Sequence, residues 1–173
     1  MSHQTPKRLS REEIETLAEE VLAESDISTP PIDPIRVSSR HGMKLYNAEF
    51  VEDSISGMLR RKGPNITVLI RASDSAFRKR FTIAHELGHI ILDHFDEQHT
   101  HSDSDVDLFR TDLAHGGDQN EVQANMFASA LLMPRSLVRA AYETEKNVKD
   151  LAKIFNVSEE AMGYRLSSLR LSA

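Results

Sequence analysis

One string, Phe81-Thr82-Ile83-Ala84-His85-Glu86-Leu87-Gly88-His89, constrains this chain more than any other stretch of it. With Ile90, Ile91 and Leu92 behind it, the string predicts a largely buried helix. Yet that helix carries the spacing His-Glu-x-x-His. Residues four apart on a helix lie one turn above each other on the same face. His85 and His89 can therefore reach one cation, and Glu86 can reach a water held on it. Burying two imidazoles and a carboxylate without partners is costly, and a bound cation removes that cost. The alternative is a pair of hydrogen-bonded core histidines, with Glu86 turned to solvent.

The chain has no cysteine. Thiolate zinc sites, iron–sulfur clusters, disulfides and cysteine nucleophiles are excluded, so any metal must be held by nitrogen and oxygen. A zinc site with a catalytic opening needs three protein ligands and leaves the fourth position to water. The extended pattern His-Glu-x-x-His-x-x-Gly-x-x-His does not apply, because its last two fixed positions are Leu92 and Phe95. His94 sits five residues past His89. On a continuous helix that is about 140° around the axis from His89 and about 180° from His85, so His94 reads as a helix-end histidine meeting the negative dipole. Other sites of this kind take a glutamate from a later helix, and Glu121 in Asn120-Glu121-Val122-Gln123-Ala124-Asn125 fits. Taken alone, Glu121 is equally a glutamate at a helix N-terminus. Asn125 lies four residues on, on the same face. Its side-chain oxygen can accept the N–H of a ligating histidine and fix the tautomer, and the pair favours the ligand reading.

Around these residues the pattern is α+β. Ser10 and Glu13 form a capping box for a helix bearing Ile14, Leu17, Ala18, Val21 and Leu22. Asp33-Pro34 starts a short second helix, which Gly42 closes. Strands are predicted at 43–50, 55–62 and 66–71, the last two joined as a hairpin through Lys62-Gly63-Pro64-Asn65. Ser73 or Asp74 caps the long helix, which is expected to run to about His94. Residues 96–105 hold no apolar side chain and read as a solvated loop, in which His99 and His101 could hold a second cation. A helix over 121–133 ends at Pro134, which starts the next. Two short helices follow, around Asn156-Val157-Ser158.

Two blocks in order, Arg80 to His89 and then Glu121-x-x-Ala124-Asn125-x-Phe127-Ala128 with Leu131-Leu132-Met133-Pro134, resemble the ImmA/IrrE metallo-endopeptidase family. Asp33-Pro34, Gly42 and the strand after it are also similar, so the likeness runs from about Pro31 through most of the chain. The resemblance implies a zincin-like metallopeptidase core with a small, mainly antiparallel sheet packed on the helix. It implies one zinc per chain on His85, His89 and Glu121, with Glu86 as the catalytic residue. The implied partner is a protein substrate, a helix-turn-helix repressor encoded nearby. A strand beside the active-site helix would offer its edge to the substrate backbone, as zincins do by analogy. The second donor to the oxyanion is left open between His115 and Tyr142.

With 173 residues, one domain or one plus a small appendage is expected. The division expected is 1–146 for the metallopeptidase and 147–173 for a C-terminal helix-turn-helix-like pair packed on it. A DNA-reading version of that pair would start its second helix with basic residues. Glu159 and Glu160 stand there, and the whole chain carries 21 Lys and Arg against 27 Asp and Glu, a net of −6. That argues against DNA binding. Arg78, Lys79 and Arg80 read as a solvated basic face or a partner contact. No apolar run is long enough to span a bilayer, and no leader is visible at the N-terminus, so a cytoplasmic address is expected. The reading from another class is a regulator or anti-repressor that acts by binding, with a structural zinc; it would have no need of Glu86.

Overall fold

The computed structural model describes residues 9–52, 55–62, 64–94, 98–102 (backbone only) and 119–171. Seven helices and four strands follow one another among these residues: α1 (Arg11–Glu24), α2 (Pro34–Arg40), β1 (Met43–Ala48), β2 (Ile55–Lys62), β3 (Asn65–Arg71), α3 (Ala76–Ile91), β4 (Gln98–Ser102), α4 (Gln119–Leu132), α5 (Arg135–Thr144), α6 (Val148–Phe155) and α7 (Glu159–Ser168). The class is α+β.

The caps follow from local chemistry. Ser10 Oγ accepts from Glu13 N at 3.3 Å while Glu13 Oε2 accepts from Ser10 N at 2.7 Å, which completes the capping box of α1. Asp33 caps α2, with Pro34 as its first residue. Gly42 takes a φ of 76° at the end of that helix, where a side chain would be strained. The cap of α3 is Ser75, accepting from Arg78 N at 3.2 Å, rather than Ser73 or Asp74.

The sheet is mixed, in the order β1-β3-β2-β4. β3 runs parallel to β1 and antiparallel to β2, and β2 runs antiparallel to β4. Ile66, Val68 and Ile70 of β3 turn into the core, as does Leu59 of β2. α3 packs on β2 and β3, which are both paired on either side, and the outer strands of the sheet are β1 and β4. β4 itself lies where a solvated loop was expected. It is polar throughout, and backbone pairing rather than an apolar face makes it a strand. The rest of the polar stretch, His115 and the side chains of His99 and His101 lie outside the described residues.

α3 is wrapped on several sides, by the sheet, α2 and α4, and α1 packs on α4. Buried residues of α6 and α7 (Leu151, Phe155, Met162, Leu166) belong to the same hydrophobic cluster as Ile14, Val68, Leu87 and Phe127. One ion pair ties the two ends of the chain through that core. Arg165 on α7 pairs with Glu15 on α1, with Nη2 to Oε2 at 2.7 Å, and its Nε donates to Met133 O at 2.8 Å. Both side chains are buried. Removing one member of such a pair strands a charge in the core. Arg165→Met should cost about 3 kcal/mol in urea unfolding, and adding Glu15→Gln should restore part of the loss. A cost below about 1 kcal/mol would contradict this.

The basic run at the start of α3 is not a freely solvated face: its three side chains are half-buried and bonded to other parts of the chain. Arg78 Nε donates to Ser56 Oγ on β2 at 3.1 Å, and Lys79 Nζ donates to Ala72 O at 2.7 Å. Arg80 donates to Ile32 O at 2.7 Å and to Asn156 O at 3.0 Å. Burial pulls the Arg80 guanidinium down from its ordinary pKa, and Asp33 nearby pulls it partly back. The three residues clamp α3 to the elements around it.

Candidate metal centre

α3 presents two rows to two different neighbours. The row His85–His89 turns towards α4, which brings Glu121 and Asn125 from one turn of its own. His85 Nε2 and His89 Nε2 lie 3.0 Å apart. Glu121 places Oε2 3.3 Å from His85 Nε2 and Oε1 3.3 Å from His89 Nε2. A tetrahedral zinc with bonds of about 2.0–2.1 Å holds its ligand atoms about 3.3–3.4 Å apart. The three donors therefore already stand close to the spacing a small tetrahedral cation requires. Among the described residues, His85, His89 and Glu121 form a group able to hold a metal ion.

The hydrogen bond on the far side of His85 sets its tautomer. Asn125 Oδ1 is 2.7 Å from His85 Nδ1. An amide oxygen only accepts, so Nδ1 carries the proton and Nε2 is left with its lone pair facing His89 and Glu121. His85 and His89 are buried, at 3% and 1% side-chain exposure, whereas Glu121 keeps 31%. Solvent thus reaches the group from the Glu121 side. Glu86 is fully buried.

His94 departs from its expected place. α3 stops at Ile91, and Asp93 takes a φ of 54°. His94 N then donates to His89 O at 2.9 Å and Asp93 N to Ile90 O at 3.3 Å, the paired bonds of a Schellman ending. The turn folds His94 back until its ring meets that of His89 edge-on, with centroids 5.5 Å apart. His94 is buried there and supports His89 without joining the three-residue group. The helix is not continuous past Ile91, so the angles of a continuous helix do not apply to His94, although it does stand at the helix end and outside the donor group. Tyr142 sits on α5 with Lys146 Nζ 3.9 Å over its ring.

The distance between α3 and α4 is set by Gly88. A Cβ built there would lie 3.2 Å from Ala124 Cα, 3.2 Å from Ala124 O and 3.2 Å from Phe127 Cδ1. Because backbone cannot swing aside, Gly88→Ala must push α4 outward and carry Glu121 and Asn125 with it. Overpacking costs about 1–3 kcal/mol, against at most about 1 kcal/mol gained in helix propensity. We expect a net loss of stability and roughly tenfold weaker zinc binding, the low end for disturbing a supporting residue. Urea unfolding and a zinc competition titration check both, and unchanged affinity would contradict it.

The family profile Peptidase_M78, described as the IrrE N-terminal-like domain, matches residues 38–167, well over half of the chain. The chain belongs to this family. The matched span of this IrrE N-terminal-like protein contains both rows of α3, all of α4 and the C-terminal helices. Its fold is similar to that of a solved Mycobacterium tuberculosis transcriptional regulator, with a TM-score of 0.61 and 21% identity over 90% of this chain. The match covers 46% of that regulator, so the chain spans less than half of its length. No curated protein matches. Among the described residues, no helix is long and apolar enough to cross a membrane.

Proposed function

We propose that the chain is a zinc-dependent endopeptidase with a narrow protein target, a helix-turn-helix repressor encoded nearby. The observation that carries the reading is the convergence of His85, His89 and Glu121, with Glu86, the residue next to His85 in the chain, fully buried. Among the described residues three protein donors meet, the number a catalytic zinc takes. Solvent access at Glu121 supports the same choice. An α3 lying against β2, with α4 supplying the third donor, supports a zincin-like core. The repressor as target rests on the resemblance to ImmA/IrrE peptidases.

Zinc, when bound, would draw the pKa of a water towards neutrality and polarise the scissile carbonyl. The chain supplies the rest. Glu86 takes a proton from the attacking water and passes it to the leaving amine as the C–N bond breaks. Asn125 holds His85 in the tautomer whose Nε2 can ligate. His94, packed on His89, limits the rotation of that ring.

The test uses the helix-turn-helix repressor encoded beside the chain's gene, purified and incubated with zinc-loaded protein. The expected result is two fragments whose masses sum to the repressor plus one water. Release of the repressor from its operator with the repressor still full-length would favour the regulator reading instead.

A further inference from the structure

The second row of α3, Thr82 and Glu86, faces β2, and the residue opposite it is Gly57. A Cβ built on Gly57 would lie 2.6 Å from Thr82 Cγ2, 2.8 Å from Glu86 Oε1 and 3.7 Å from Glu86 Cδ. Real Cβ contacts are essentially never closer than 3.0 Å. The Glu86 carboxylate therefore occupies space that any other residue at 57 would claim. Gly57 is held in place on both sides, opposite Ile70 of β3 and His101 of β4. The β2–β4 pairing shifts register between Ile55 and Gly57, an irregularity of a kind that recurs beside active sites. Leu59, two residues on and on the same face, is a buried core residue. The face thus changes from a large apolar side chain to none where Glu86 arrives.

We propose that Gly57 is a positioning residue, whose missing side chain determines where the Glu86 carboxylate rests. This rests on the reading of Glu86 as the proton carrier. It gives β2 a part in the chemistry although the strand supplies no reacting group. With Cβ present, Glu86 must rotate away, because its neighbours on α3 are fixed by packing and the strand is paired on both edges. Zinc binding should be spared, since His85 and His89 lie on the other row of α3 and Glu121 lies on α4.

The test is a double-mutant cycle between 57 and 86 in a Thr82→Ser background, which removes Cγ2 and leaves only Glu86 in reach. Unfolding by urea is followed on zinc-loaded protein. Gly57→Ala should raise the unfolding equilibrium constant about tenfold with Glu86 present, and less than about threefold with Glu86→Ala. A variant that folds only when Glu86→Ala is also present supports the proposal too. Equal costs in both backgrounds, or failure to fold in both, overturn it. On the purified repressor, Gly57→Ala should lower kcat at least tenfold with KM and zinc content unchanged, a split that a general loss of structure would not give. A changed KM or zinc content with kcat preserved would overturn it as well. If the cycle couples 57 to 86 while wild-type protein cuts nothing, the packing stands and the peptidase reading fails.

Discussion

A chain carrying His85→Ala is expected to hold zinc about 10²- to 10³-fold more weakly than wild type. Structural zinc sites bind with roughly 10–16 kcal/mol shared over four ligands, or about 2.5–4 kcal/mol for each. His89→Ala should behave alike, because each imidazole contributes one of the three donors that meet within about 3.3 Å. Glu121→Ala should fall in the same range, despite the partial exposure of its carboxylate. His94→Ala should not. Its ring meets His89 edge-on and lies outside the donor group, so its loss should cost no more than the roughly 10-fold low end for a supporting residue. Asn125→Ala should fall between, since it removes the oxygen that fixes the His85 tautomer. Competition against a chromophoric chelator resolves all five. A ranking in which His94→Ala loses more zinc than Glu121→Ala would contradict the assignment of the third ligand.

Glu86→Gln is expected to abolish cleavage while leaving the metal in place. Gln keeps the size of the side chain but cannot accept a proton at neutral pH. General acid–base steps contribute about 10²- to 10⁴-fold in rate, and the loss should appear in kcat. Zinc content should match wild type, since Glu86 lies on the row facing β2 and not among the three donors. The neutral amide fits the buried position at least as well as a carboxylate, so stability should hold or rise. The variant should therefore trap its target uncut. Cleavage at the wild-type rate by Glu86→Gln would remove Glu86 from the mechanism, even with the zinc site intact.

The parts of this site that were legible in the sequence are those written in local spacing. His85 and His89 stand one helical turn apart, as do Glu121 and Asn125, and a 3.6-residue period places each pair on one face without any knowledge of the fold. Alternation in 66–71 gave β3, and cap chemistry gave the starts of α1 and α2. What escaped has physical causes. The turn after Ile91 depends on a left-handed Asp93, a conformation that glycine would have announced and aspartate does not. β4 has no apolar face to reveal a period of two. The charges of Arg78, Lys79 and Arg80 suggested a solvated face, but Lys79 ends on an oxygen of the turn before α3 and the two arginines on oxygens of distant segments. Gly57 interrupts an otherwise ordinary strand, which is the one available signal for a close approach. What approaches it comes from a different element, and only the packed structure supplies that.

The most direct test of the central claim, that this chain hydrolyses a peptide bond at the His85–His89–Glu121 site, is mass-spectrometric mapping of new protein N-termini. A lysate of the source organism would be incubated with metal-free protein, with the same protein reloaded with zinc, and with zinc-loaded Glu86→Gln. The account predicts a new N-terminus in one or a few proteins, a helix-turn-helix repressor among them, with zinc-loaded wild type only. New N-termini of equal abundance in all three samples, or none above the metal-free control, would contradict it.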